Sequence, residues 1–167
     1  MVELPARAKG IEAEFVSEPL QGLTVNLSAQ YLESKVFNVP LIDGSLQTSA
    51  LPQAPKFSGS ALLRYEFSIL GGTGSVQGDL LQGGSFCFTV LCAPVEREGS
   101  YQVANLRIGF TPGSDRWDVS AFVTNVTKSA YRIYAFDESL FGGNVAQAWG
   151  RPRMFGATLT YRFGNGG

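Results

Sequence analysis

In the stretch Gly150-Arg-Pro-Arg-Met-Phe-Gly-Ala-Thr-Leu-Thr-Tyr-Arg-Phe163, the side chains alternate from Arg153 onward. Phe155, Ala157, Leu159, Tyr161 and Phe163 fall on one face of a strand, and Met154, Gly156, Thr158, Thr160 and Arg162 fall on the other. Such a strand suits a wall with an oily medium on one side and water on the other. A soluble sheet packing one face on a core would produce the same pattern. The rest of the chain decides between the two.

Six further segments alternate in the same way. Ile11, Ala13 and Phe15 oppose Glu12 and Glu14, and Leu23, Val25, Leu27, Ala29 and Tyr31 oppose Thr24, Asn26, Ser28 and Gln30. Phe57, Ala61, Leu63, Tyr65 and Phe67 oppose Ser58, Ser60, Arg64 and Glu66, with Leu62 an exception. Val76, Gly78 and Leu80 against Gln77 and Asp79 give the weakest pattern. Ala104, Leu106, Ile108 and Phe110 oppose Asn105 and Arg107; Trp117, Val119, Ala121 and Val123 oppose Asp118, Ser120 and Thr124, with Phe122 on the wrong side. No helical period of comparable length competes.

The connections between these strands alternate in length. Glu18-Pro-Leu-Gln-Gly22, Leu70-Gly-Gly-Thr73 and Thr111-Pro-Gly-Ser-Asp115 read as tight hairpin turns, and the segments 37–56, 83–100 and 127–152 are far longer than hairpins need. Short turns on one side and long loops on the other are the pattern of an outer-membrane barrel. Its loops would face outward and its turns the periplasm. Tyr65, Phe67, Phe110, Trp117, Tyr161 and Phe163 all lie near the short-turn side, where they would form an interfacial girdle. Cross-strand packing in a soluble sheet explains pairs of these rings but not their collection at one end.

Composition narrows the function. Thirteen basic residues against 14 acidic ones leave a net charge of −1, which offers no general attraction to nucleic acid. Histidine is absent, which removes the commonest general base and most zinc ligand sets. Neither a cofactor nor a metal site is expected. Cys87 and Cys92 are spaced as Cys-x4-Cys in a Gly- and Pro-flanked stretch, open to a small loop disulfide or to two unpaired thiols. The residues 1–10 contain no apolar core of a secretion signal, and no apolar run reaches the ~18 residues of a membrane helix. A membrane protein made of these segments would have to be a barrel.

Seven strands are an odd number, whereas closed bacterial barrels have an even one. Residues 1–5 are too short for an eighth strand of the ~9–11 residues that spanning requires. The chain is therefore expected to be the last ~7 strands of a larger barrel, all-β and antiparallel.

The ordered set of segments resembles the carboxyl-terminal barrel region of TonB-dependent outer-membrane receptors. It comprises Ala8-Lys-Gly-Ile-Glu-Ala-Glu-Phe15 with Pro19-Leu-Gln-Gly-Leu-Thr-Val-Asn26, Pro55-Lys-Phe-Ser-Gly59, Arg64-Tyr-Glu-Phe67, Val103-Ala-Asn-Leu-Arg107, Trp117-Asp-Val-Ser-Ala-Phe-Val-Thr-Asn-Val-Thr127 with Tyr131, and Gly150-Arg-Pro-Arg-Met-Phe-Gly156 through Tyr161-Arg-Phe163. The resemblance implies a barrel of about 22 strands closed around a plug. It also implies active uptake of a scarce nutrient, such as an iron chelate, a cobalamin or an oligosaccharide, driven by the TonB system pulling on the plug. Partners implied are outer-membrane lipid, the upstream strands and plug, the TonB system and the barrel-assembly machinery. Tyr161 and Phe163 match the family's terminal aromatic assembly signal, although Gly164-Asn-Gly-Gly167 follows here. The plug and the TonB-contacting segment are not expected within these residues.

Ligand contact is expected from the third long connection, where Tyr131, Arg132, Tyr134, Phe136 and Trp149 offer aromatic platforms beside a cation. The same residues could instead stiffen the loop. Other motifs have plainer readings. Gly72-Thr-Gly74 with Gly78 reads as a turn rather than a phosphate loop. Asn26-Leu-Ser28 and Asn125-Val-Thr127 read as chance sequons within strands, Asp137-Glu138 as solvated carboxylates, and Arg151 and Arg153 as rim residues facing lipopolysaccharide or the lumen. Two alternatives to a transport barrel are a soluble β-sandwich binding module and an outer-membrane barrel enzyme, the latter disfavoured without histidine.

Overall fold

A computed structural model describes residues 4–114 and 116–163. In chain order its strands are β1 (Ala6–Leu20), β2 (Leu23–Pro40), β3 (Leu46–Ser49), β4 (Phe57–Ile69), β5 (Gly72–Gly83), β6 (Phe86–Cys87), β7 (Arg97–Glu98), β8 (Tyr101–Pro112), β9 (Trp117–Thr124), β10 (Arg132–Glu138), β11 (Asn144–Trp149) and β12 (Met154–Tyr161). A single 3-10 turn, Pro94–Glu96, precedes β7, and a short helix α1 (Ser139–Gly142) joins β10 to β11. Seven long strands form one antiparallel sheet in the order β1-β2-β4-β5-β8-β9-β12, and β3 pairs back on β2. Every neighbour in that path is the next long strand in sequence, so the sheet is an up-and-down meander. Among the described residues it does not close, and β1 and β12 are its two edges.

The register keeps one apolar face continuous across all seven strands. Phe155 pairs with Val123, Val123 with Leu106, Leu106 with Gly78, Gly78 with Leu63, and Leu63 with Val25, and two residues along β2 Leu27 pairs with Phe15 of β1. Because side chains alternate with period two, a slip of one residue anywhere would turn a whole strand inside out. The apolar face is bare: Leu63 is 52% exposed, Ile108 59% and Leu159 65%. Contiguous exposure on this scale marks a surface built for a partner or for lipid.

The opposite face is polar and bonded from strand to strand. Ser28 and Ser60 hydroxyls lie 2.8 Å apart, Arg64 donates to Gln77 at 3.3 Å and to Glu66 at 2.7 Å, Asn105 donates to Asp79 at 2.6 Å, and Arg107 donates to Ser120 at 2.7 Å. Phe122, which breaks the alternation, lies on this face opposite Gly156. A Cβ at Gly156 would come within 2.3 Å of the Phe122 ring, so the ring occupies the space a side chain would need. Leu62 shares the polar face, paired with Asp79 and Asn26.

The short connections are tight. Between β4 and β5, Leu70 and Gly71 both have positive φ, 51° and 70°, the combination of a two-residue hairpin turn whose twist matches its strands. Gly72 and Gly74 therefore lie in β5 just beyond the turn, not in it as the sequence suggested. Asp115, in the third expected turn, lies outside the described residues. At this end Tyr65 and Phe67 stack with centroids 5.7 Å apart, and Tyr161 packs on Trp117 at 4.4 Å and on Phe163 at 4.5 Å.

Two expectations need correction. The first and second strands are much longer than their apolar stretches; β2 runs through Asn38, whose φ of 58° marks a bulge, to Pro40. Asn125 is not in a strand but one residue past β9, with a φ of 50°.

Adjacent leucines on opposite faces provide a test. Leu63→Arg, placing a charge in mid-strand on the apolar face, should destabilise the full-length protein in bilayers by roughly 2–4 kcal/mol. Leu62→Arg, beside Asp79, should cost far less. Urea unfolding in lipid vesicles followed by heat-modifiable gel migration reads both; equal losses would remove the assignment of faces.

Candidate functional site

The three long connections gather at one end of the sheet and are tied to one another rather than hanging separately. Gln53 donates its backbone N–H to the Cys87 carbonyl at 2.8 Å, and the Gln47 side chain reaches the Leu91 carbonyl at 3.3 Å, joining the first connection to the second. Cys87 and Cys92 are disulfide-bonded, with Cα atoms 5.2 Å apart, which closes a small loop at the tip of the second.

Just past that loop, Glu96 is 3% exposed and its carboxylate is satisfied by three donors. Thr89 Oγ1 donates at 2.5 Å, and the backbone N–H groups of Ala93 and Asp137 both donate at 3.2 Å. Asp137 belongs to β10, so one buried carboxylate links the second connection to the third. A second buried acid does the same. Glu98 accepts from Arg132 Nε at 2.7 Å, and the same guanidinium donates to the Val95 carbonyl at 2.7 Å and to the Arg97 carbonyl, with its carbon 5.9 Å from the Phe88 ring centre. A buried charge pair is stable only when its remaining donors find partners, and here they do.

The residues expected to form one binding platform are thus distributed. Tyr131 stacks on Tyr101 at 4.6 Å between centroids, its ring against Gly150. Arg132 is committed to the second connection. Tyr134 is exposed, and Trp149 lines a recess of about 550 Å³ with Lys128, Pro152 and Arg153. Phe136 alone of the five lines a cavity of about 750 Å³ to which all three connections contribute: Leu41 and Ile42 from the first, Val90 and Leu91 from the second, Phe136 from the third.

That cavity has the size and apolar lining of a small-molecule site. Its charged groups are all carboxylates, Asp43, Glu96 and Asp137, beside the hydroxyls of Thr89 and Ser139. Hydrogen bonds from Ser45, first through its hydroxyl and then its backbone N–H, hold Asp43 below the usual carboxylate range, and Ser139 does the same for Asp137. Both stay ionised at neutral pH, and the wall disfavours a bare anion. Among the described residues no group of three or more His, Cys, Asp or Glu side chains is placed to hold a metal ion.

The sequence reading missed Glu96, Glu98 and Asn125. Ala93-Pro-Val-Glu96 carried a usable signal, a proline opening a turn with glutamate two residues on. Asn125 is buried; its side-chain amide donates to the Ser129 carbonyl at 2.9 Å and the Arg151 carbonyl at 3.1 Å, clamping both ends of the third connection.

A family model described as TonB dependent receptor-like, beta-barrel, matches residues 5–126. The fold is similar to that of the ferric yersiniabactin uptake receptor of Yersinia pestis, with a TM-score of 0.82 at 18% identity over 96% of this chain and 24% of that one. It is also similar to the ferric preacinetobactin receptor of Acinetobacter baumannii (TM-score 0.71, 17% identity, 95% and 22%) and to the ferripyoverdine receptor of the outer membrane of Pseudomonas aeruginosa (0.67, 20%, 94% and 20%). The chain therefore spans a quarter or less of the length of these receptors. No curated protein matches it in sequence.

Removing one partner of the buried pair tests the cap. Glu98→Gln should free Arg132 and speed amide hydrogen exchange in 94–98 and 132–138 of the full-length protein by at least tenfold, the sheet strands keeping their protection. Unchanged exchange in both segments would show that the pair does not hold the connections together.

Proposed function

The chain belongs to the TonB-dependent receptor β-barrel family of outer-membrane proteins, and we propose that it forms the carboxyl-side wall and part of the outer cap of a receptor for active uptake of an iron chelate. The observation that carries this reading is the sheet itself: a bare apolar face, a hydrogen-bonded polar face, and long connections knitted into a cap at one end only. In the membrane the apolar face meets lipid and the polar face lines the interior. The girdle of Tyr65, Phe67, Phe110, Trp117, Tyr161 and Phe163 sits at the periplasmic interface.

The cap cavity takes the apolar body of the chelate, with Phe136 as an aromatic wall. Asp43 and Asp137 set the charge the ligand must present there: neutral or cationic at the point of contact. Arg132 acts indirectly, by holding β10 and so Phe136 in place. Transport then belongs to the whole receptor, with its other strands closing the barrel at both edges and the plug drawn by the TonB system. Tyr161 and Phe163 serve as the signal to the assembly machinery. The chemistry is that of binding and passage, in keeping with a family of receptors.

Deleting the gene should abolish growth on one ferric chelate under iron limitation, and complementation should restore it. In complemented cells Phe136→Ala should weaken binding of that labelled ferric chelate by roughly tenfold, about 1.4 kcal/mol, while Ile133→Ala, on the same strand but not on the cavity wall, should leave it unchanged. Normal growth of the deletion on every ferric chelate, with loss of growth on a cobalamin or oligosaccharide, would overturn the choice of substrate.

A further inference from the structure

The recess beside Trp149 differs in charge and position from the cap cavity, and we infer that it holds the phosphorylated headgroup of a lipid of the outer leaflet. Arg153 immediately precedes β12 and has the parity of its apolar face. Its guanidinium carbon lies 5.8 Å from the centre of the Phe155 ring, which is 77% exposed. Phe155 and its partner Val123 form the row of the apolar face nearest the third connection on these two strands. Arg153 therefore stands directly above the surface that lipid chains cover.

Lys128 stands across the recess. It is exposed, makes no ion pair among the described residues, and lines the same space of about 550 Å³ with Trp149 and Pro152. No carboxylate lines that space, whereas the cap cavity carries Asp43, Glu96 and Asp137. In a chain of net charge −1 the positive field here is local. The backbone near both cations is held: Asn125, itself buried, donates to the carbonyls of Ser129, next to Lys128, and of Arg151, two residues before Arg153.

These features together select an amphiphile over a free anion. An exposed pair of cations competes poorly with water and salt for inorganic phosphate. A lipid phosphate gains in addition from its chains lying along Phe155, Ala157 and Leu159, and from an indole at the interface, where tryptophan is favoured. Each basic group beside an anionic membrane surface changes partitioning by roughly fivefold.

The test uses the purified full-length receptor in detergent and, as probe, a fluorescent bis-phosphorylated, multiply acylated disaccharide lipid. Lys128→Asn, which tolerates the φ of 56° at that position, combined with Arg153→Gln should weaken binding at least tenfold. Arg7→Gln with Lys35→Gln, removing the same charge from the β1–β2 hairpin, should not. The dephosphorylated lipid should bind all forms weakly, and millimolar inorganic phosphate should not displace the probe. If the double variant loses its heat-modifiable migration, Arg153→Gln alone is expected to give about a fivefold loss. Unchanged binding by whichever recess variant folds, an equal loss in the hairpin control, or displacement by inorganic phosphate would each overturn the inference.

Discussion

Backbone hydrogen bonding in a medium without water governs this molecule. In lipid an unpaired N–H or C=O costs several kcal/mol, so a strand that spans must be paired along both edges throughout its length. The five interior long strands meet that demand through antiparallel neighbours, and the two edges left open in this chain can meet it only through other strands of the receptor. Pairing of this kind fixes register, and register fixes which side chains meet lipid. A single choice of register thus produces the apolar face, the polar face and the line of aromatic rings at the short-turn end.

The cap obeys a different rule. Outside the membrane the connections are free to be irregular, and they are held by a few buried polar groups rather than by a core. Val36, Val39, Phe88 and Ala135 are the buried apolar residues among those described, too few to fix three long connections. Glu96, Glu98 with Arg132, and Asn125 supply what is missing, each satisfied by donors or acceptors from two connections or from both ends of one. Breaking one partner leaves the other buried and unpaired, which makes the cap cooperative.

Most of the sheet was legible in the sequence because period-two alternation is a direct readout of a wall with two different sides. The weakest pattern, Val76, Gly78 and Leu80, is nonetheless a strand bonded on both sides; its glycines weaken the hydrophobic signal while making room for a neighbouring ring such as Phe67. The lengths of β1 and β2 were not legible, since above the membrane the strands continue without an apolar face to announce them. Nor were the roles in the cap. Tyr131, Arg132, Phe136 and Trp149 look alike in sequence as an aromatic and cationic cluster, yet a ring stacked on Tyr101, a guanidinium spent on Glu98, a cavity wall and a rim residue differ only in long-range partners. Local pattern carries no record of those.

The claim beneath all of this is that odd-numbered side chains of β4 face lipid and even-numbered ones face the polar interior. Spin labels placed singly from 60 to 66 in the full-length receptor, reconstituted in bilayers, test it most directly. The account predicts that accessibility to oxygen peaks at Ala61, Leu63 and Tyr65, while accessibility to a water-soluble paramagnetic reagent peaks at Leu62, Arg64 and Glu66. A flat profile, or one with the two sets exchanged, would contradict it.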